Sequence, residues 1–383
     1  MTTSATTGVL GGDWRADVTP WGEVVPWDGS PALAWHVAAD DRWHSPAGEV
    51  AVRQIRVSGA PVFETRLRIP GGDAVQRVWS VADGGGRTIV EVTNDSPLPI
   101  ACALTRRDLL TVRPPADVPI EGIALPAPAI VLPIGHRASV TVALDHRGAG
   151  AGPLPPRSAS AEATARGWVA FAERASRFVG PDSAMGEALV AARAEVALGG
   201  APDPDDDPVG HLLAIGELVR LGELRDDVHL DAVAGAVHAI ARREGWDVDG
   251  ALDAAATVLA RRGEQRAGRD LARIVAGRRS SAPPEPADAT GVRVVAAVER
   301  RLVRGGQLFP DGIPPSWRGV DLEAHGLVAG PASTLSFALR WHGSNAAVLW
   351  EIGGAAVELR APAVDPAWRT RDRQGEALWR VGR

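Results

Sequence analysis

Residues 35–46, WHVAADDRWHSP, gather two tryptophans, two histidines, two aspartates and an arginine into twelve positions. Residues 340–351, RWHGSNAAVLWE, repeat the triplet Arg-Trp-His and end on Glu351. A third stretch, REGWDVDG at 243–250, sets Trp246 among Glu244, Asp247 and Asp249. Flat aromatic rings beside carboxylates, arginine and histidine suit a saccharide, whose C–H faces lie on an indole and whose hydroxyl edges meet charged groups. The candidate substrate-binding residues are therefore Trp43, His44, Arg340, His342 and Trp246. Hydrolysis of a glycosidic bond needs two carboxylates flanking it, roughly 5 to 10 Å apart, and Asp41 and Glu351 are the candidates. Asp40 and Asp41 cannot serve together, because neighbours on a strand point to opposite faces and in a turn both favour backbone amides.

Each stretch also has a structural reading. Leu33, Trp35 and Val37 alternate with Ala34, His36 and Ala38, which turns Trp35 into a core and makes 40–46 a turn. Leu335, Phe337, Leu339 and Trp341 form one face of a strand, with Ser336, Ala338, Arg340 and His342 on the other. A two- or four-residue turn near Gly343 sets Phe337 across from Trp350 and puts Glu351 on the face of Arg340 and His342; a three-residue turn reverses this. In the third stretch Gly245 suits a helix C′ position, Asp249 an N-cap, and Trp246 a staple across the junction.

The elements that would carry these residues change period twice. From 20 to 145 short alternating segments such as AVQRVWSV and RTIVEVT flank Gly-rich turns, which predicts an antiparallel β-sandwich over residues 1–150. HRGAGAGPLPPRSAS breaks that pattern. Residues 158–280 then read as about six helices in hairpins, with the stripe Leu230, Val233, Val237, Ile240 and a second at Leu271, Ile274, Val275. Asp207 before Pro208 is an N-cap, and Asp226 or Asp227 suits the next helix. A second linker precedes residues 290–383, one helix followed by strands forming a small antiparallel β-domain.

Composition narrows the chemistry. The chain has 383 residues and a net charge of −6, which suggests several domains and gives no reason to expect a nucleic-acid partner. All 41 basic residues are arginine and there is no tyrosine, a usage expected of a GC-rich bacterial genome; any aromatic platform must therefore come from the 13 tryptophans. Cys102 is the only cysteine, which excludes an internal disulfide and fits a reducing cytoplasm. No secretion signal and no membrane-spanning apolar run is visible. Walker, dinucleotide, Gly-x-Ser-x-Gly and His-Glu-x-x-His motifs are absent. His229 and His238, nine apart, cannot share a metal on one helix, and the acids of 202–210 lack a calcium loop's pattern. No metal or cofactor is expected.

The order sheet, helical hairpins, sheet, with the Trp-rich opening DWRADVTPWGEVVPWDG, resembles the glycoside hydrolases built on an α/α toroid. Glucoamylase-like enzymes place a β-sandwich before the helices, and α-L-rhamnosidases add a C-terminal sandwich. The resemblance is architectural and spans most of the chain; it implies a carbohydrate-associated protein with a partial α/α toroid. Two departures accompany it. About six helices stand where such toroids have about twelve, and no residue here matches the family's acid or base, so no efficient hydrolysis is expected. The alternative is an interaction or scaffold protein that binds another protein through its helices and sheets.

Overall fold

The computed structural model describes residues 5–116, 120–126, 129–148, 150–223, 230–278 and 281–381. Among them are 23 strands and seven α-helices, a mixed β and α fold. The chain divides into two compact units, Met1–Val169 and Ala170–Arg383. The division falls later than the first linker, and the helices and C-terminal strands lie in the same unit.

Up to residue 160 the described residues of the first unit form strands, 3₁₀ turns and loops, with no α-helix. Its largest sheet has seven strands, with Phe63–Ile69, Gly72–Val81, Arg87–Asn94 and Ser139–Asp145 adjacent and antiparallel. A four-stranded sheet contains Trp35–Ala38, Trp43–His44, Ile100–Leu104 and Ile130–Ile134. The two sheets share one core. Trp35, Val37, Cys102 and Leu132 from the smaller meet Phe63, Leu67, Val78, Val90 and Val142 from the larger. Trp35 is 1% exposed, as the alternation at 33–38 predicts, and its indole N–H donates to the Trp21 carbonyl at 2.9 Å. That bond fixes the loop bearing Gly22, whose φ of +86° and close approach to Gln76 and Thr65 leave no room for a Cβ.

The second unit begins within α1 (Ala161–Ala172) and continues through α2 (Ser183–Gly199), α3 (Pro208–Leu221), α4 (Leu230–Ile240), α5 (Trp246–Arg262), α6 (Gln265–Val275) and α7 (Arg293–Leu302). Helix α3 shows why its boundaries fall where they do. Asp207 accepts from the Gly210 amide, Pro208 occupies the first turn, and Gly222 closes the helix at φ 83°, each suited to its place. Helix α4 buries Val233, Ala236 and Ile240, close to the expected stripe. Asp249 corrects the expectation of a cap. Helix α5 starts at Trp246 after Gly245, so Asp249 lies inside the first turn and meets Arg278 at 3.2 Å. Gly245 accordingly precedes a helix rather than ending one. Asp226, Asp227 and His229 lie outside the described residues.

One strand interrupts the helical stretch. Arg177–Val179 pairs with Leu322–Gly330 and becomes the edge of a five-stranded sheet completed by Ser333–His342, Asn345–Gly354 and Gln374–Arg380. The turn at 343–344 has two residues, and Phe337 faces Trp350. One face of this sheet packs on α2 and α7. Met185 and Leu189, Val295 and Val298, and Phe337, Val348 and Trp379 belong to a single buried cluster. Helices and C-terminal strands thus hold each other's apolar faces out of water.

Candidate functional site

Small residues shape a cavity in the second unit. Gly216 of α3 approaches α5 so closely that an added Cβ would lie 2.7 Å from Ala254 Cβ, and Gly250 of α5 lies against Ala296 and Arg300 of α7. Beside this tight three-helix contact is a cavity of about 160 Å³. Leu213, Val292, Val295, Ala296 and Val328 give it apolar walls, and Glu217, Arg220, Asp253, Glu299, Arg300 and Arg304 give it charged edges.

Three of these edge residues, Glu217, Arg220 and Glu299, belong to a buried ion network that extends behind the cavity. Arg193, 1% exposed, donates Nε to Glu217 at 2.7 Å, Nη2 to Glu299 and to Ser176 Oγ at 2.7 Å each, and Nη1 to the Ser176 carbonyl at 2.7 Å. Arg220 bonds Glu217 and both oxygens of Glu299, the latter at 2.8 and 2.9 Å. Two guanidinium groups thereby neutralise two carboxylates, with the Ser176 hydroxyl also donating to Glu299 at 2.5 Å. Burial works to raise the Glu217 carboxyl, but Arg220 and Arg193 outweigh it and hold it below its ordinary value. Burial likewise opposes the Arg220 charge, and Glu217 and Glu299 reverse the balance, raising its pKa. Both groups stay charged, so Glu217 is no proton donor at neutral pH.

Asp253 behaves differently. The surrounding protein pushes its carboxyl above the ordinary aspartate value, against the pull of Arg300 and with Asp249 adding to the rise. Its side chain is 52% exposed, so solvent tempers that push. Asp253 pairs with Arg300, while Arg304 pairs with Asp311. The cavity thus presents hydrogen-bonding edges around an apolar interior, with no histidine, cysteine or tryptophan among the described residues of its lining. Among the described residues no group of three or more His, Cys, Asp or Glu could hold a metal ion.

The stretches singled out by residue type lie elsewhere. Asp41, Trp43 and His44 come together in the hairpin of the first unit. His44, 4% exposed, is bonded at Nε2 to Asp41 (2.9 Å) and at Nδ1 to Glu49 (3.1 Å). The bond to His44 lowers the Asp41 carboxyl pKa. The Trp43 indole N–H donates to the Glu121 carbonyl at 2.7 Å. The His44 contacts brace the turn, and the Trp43 bond ties it to the segment at 120–126. In the second unit Arg340 pairs with Glu323, whose other oxygen lies 3.3 Å from His325, and the Trp341 amide donates to Asp321 at 3.0 Å. His342 and Glu351 are exposed on the same face, but Glu351 faces Ser336 in the register and Arg340 faces Ala347. Four residues of strand, about 13 Å, separate Glu351 from Arg340. Trp246 is partly buried against the helical core and is not part of the cavity lining.

The network residues carried a signal that residue type alone does not show. Leu189, Arg193 and Val196; Leu213, Glu217 and Arg220; and Val295, Glu299 and Leu302 each follow i, i+4, i+7 spacing. A charge on an otherwise apolar stripe must be buried, and a buried charge needs a partner. No helix among the described residues is long and apolar enough to cross a membrane. Set against known proteins, the chain matches no family model and no curated sequence.

Proposed function

We propose that this is a carbohydrate-associated, glycoside-hydrolase-like protein that holds a small saccharide in the cavity between α3, α5 and α7 without cleaving it efficiently. The observation that carries this reading is the cavity's make-up, apolar walls bordered by paired carboxylates and guanidinium groups. An apolar cavity of about 150 Å³ holds one six-membered carbon ring, so about 160 Å³ accommodates the ring of a single pyranose unit, with its hydroxyls projecting to the charged edge and the open mouth. Its C–H faces would meet Leu213 and Val295, and its hydroxyls Asp253 and Arg300. The carboxylates Glu217 and Glu299 are neutralised by Arg193 and Arg220 and leave no free acid and base pair of the kind hydrolysis needs. On this reading the two sheets of the first unit are the β-sandwich, and the seven helices a shortened relative of the α/α toroid.

The test is thermal unfolding with and without mono- and disaccharides. A sugar at about a hundred times its Kd stabilises by roughly 2.7 kcal/mol, and Asp253→Ala should abolish that shift while leaving the ligand-free melting little changed. A flat response across sugars refutes the reading and turns attention to a protein partner. Aryl glycosides should not turn over; hydrolysis lost in Asp253→Asn, Asp41→Asn or Glu351→Gln would refute the non-cleaving part.

A further inference from the structure

We infer that the free edge of strand Gln374–Arg380 is a homodimer interface, where a second copy of the chain pairs antiparallel about a two-fold axis at Leu378. The strand closes the five-stranded sheet. Asn345–Gly354 pairs with one side of it, and among the described residues no strand pairs with the other. The pairing has no bulge and the strand contains no proline, so two of the devices that blunt an edge are missing, and its charges, Glu376 and Arg380, are of opposite sign.

The ladder identifies which backbone groups face outward. The Ile352 amide donates to the Arg373 carbonyl at 2.7 Å, which makes 352 and 373 a hydrogen-bonded pair. Alternation along the register then turns the N–H and C=O groups of Gly375, Ala377 and Trp379 toward Asn345–Gly354, and those of Glu376, Leu378 and Arg380 toward the free edge. The side chains of these three residues also share the solvent face, since Trp379 between them is fully buried and Leu378 is 56% exposed.

These residues complement themselves. In an antiparallel pair centred on Leu378, Glu376 stands opposite the partner's Arg380, Arg380 opposite the partner's Glu376, and Leu378 opposite the partner's Leu378. All three are positions whose backbone groups point outward, so hydrogen bonds and side chains demand the same register. Beside them, Leu349, 42% exposed, and Ala347 extend the apolar centre, because they lie opposite Glu376 and Leu378 within the sheet. The edge strand Val52–Arg56 of the first unit has no such symmetry. It carries Arg53 and Arg56 and no acid, so two copies would set like charges together.

A single pair of strands buries less than the roughly 1,200 Å² of a standard interface, so the dimer is weak and depends on concentration. Sedimentation equilibrium of the full chain from about 1 to about 500 µM spans the range of such affinities. Wild type should pass from monomer to dimer. Glu376→Arg alone and Arg380→Glu alone each set like charges opposite one another and should raise the dissociation constant at least about tenfold. The double exchange Glu376→Arg/Arg380→Glu restores the pairing and should return it to within about threefold of wild type. Leu378→Pro removes an N–H that faces the free edge and no ladder bond to Asn345–Gly354; it should abolish the dimer without moving the melting temperature. A protein that stays monomeric throughout, a dimer indifferent to the single reversals, or one that the double exchange fails to restore overturns the proposal.

Discussion

Acid should loosen the first unit through one histidine. The His146 ring stacks on Trp14, with centroids 4.0 Å apart and planes inclined by 14°, and its Nε2 lies 2.9 Å from Thr88 Oγ1. Thr88 continues through Ser80 to Thr7, at 2.9 and 3.0 Å. Burial drives the His146 pKa down from 6.5 to about 4, with Asp145 opposing the fall and Arg15 adding to it. A folded-state value below the unfolded one means that the unfolded chain takes up the proton first. Stability is therefore complete above about pH 6.5, falls as pH drops toward 4, and levels off below that. At 1.36 kcal/mol per pH unit the window corresponds to roughly 3 kcal/mol, and partial exposure of the ring trims this to about 2 kcal/mol. Carboxylates held low by ion pairs, such as Glu64 between Arg77 and Arg66, also lose stability in acid, so the comparison must be with a variant. Replacing His146 with Gln retains a partner for Thr88 and removes the titration; the lost Trp14 stack lowers stability equally at every pH. Hydrogen exchange of strands Arg87–Asn94 and Ser139–Asp145, with urea, reports this unit alone. If His146→Gln loses as much stability between pH 7 and about pH 4.5 as wild type does, the reasoning fails.

Other outcomes follow from burial and close contact. Arg193→Met leaves Glu217 and Glu299 sharing only Arg220 among their arginine partners, and should cost about 3 to 5 kcal/mol in urea unfolding of the second unit. Combining it with Glu217→Gln should cost clearly less than the two single changes added, because one removes the charge the other leaves unpaired. Gly22→Ala forces a Cβ to within 2.0 Å of Gln76 Oε1 at a φ of +86°, and should lower the melting temperature of the first unit by several degrees, as a loss of about 1 to 3 kcal/mol implies. The Cys102 thiol, fully buried and pushed up to about 12 by that burial, should be silent to a thiol reagent in the native protein and react at once in urea.

Where periodicity is strong, the elements could be read from the chain. The alternation at 33–38 and 335–341 assigned the buried faces correctly, and the Asp207–Pro208 start was legible because capping is local chemistry. Two kinds of feature escaped. Gly245 and Asp249 have the residue types of a C′ and an N-cap, yet α5 begins three residues before Asp249, since ion pairs with Arg278 and Arg300 give that carboxylate another use. The cavity was hidden for a different reason. Its residues come from α3, α5, α7 and the strand Leu322–Gly330, far apart in sequence, and no one stretch looks functional. Dense stretches of Trp, His and Asp drew attention to 35–46 instead, where the structure uses His44 and Asp41 to brace a turn. Arg193, Glu217 and Glu299 were readable as buried charges, but which of them meet depends on helix packing that spacing within one helix does not specify.

The core shared by α2, α7 and the C-terminal strands has a consequence on the ribosome. When α7 ends at Leu302, the apolar faces of Met185, Leu189, Val295 and Val298 exist, but Phe337, Val348 and Trp379, which share their cluster, have not been made. Strand Arg177–Val179 is likewise waiting for Leu322–Gly330. At roughly 5 to 20 residues per second, the remaining stretch to Trp379 takes on the order of 4 to 16 seconds. Throughout that interval the nascent chain exposes an apolar helical surface and an unpaired strand, both of which invite capture by a chaperone or by another nascent chain. Slow translation through 303–379 should therefore lower the yield of folded protein, whereas pauses just after residue 169, where the first unit is complete, should not.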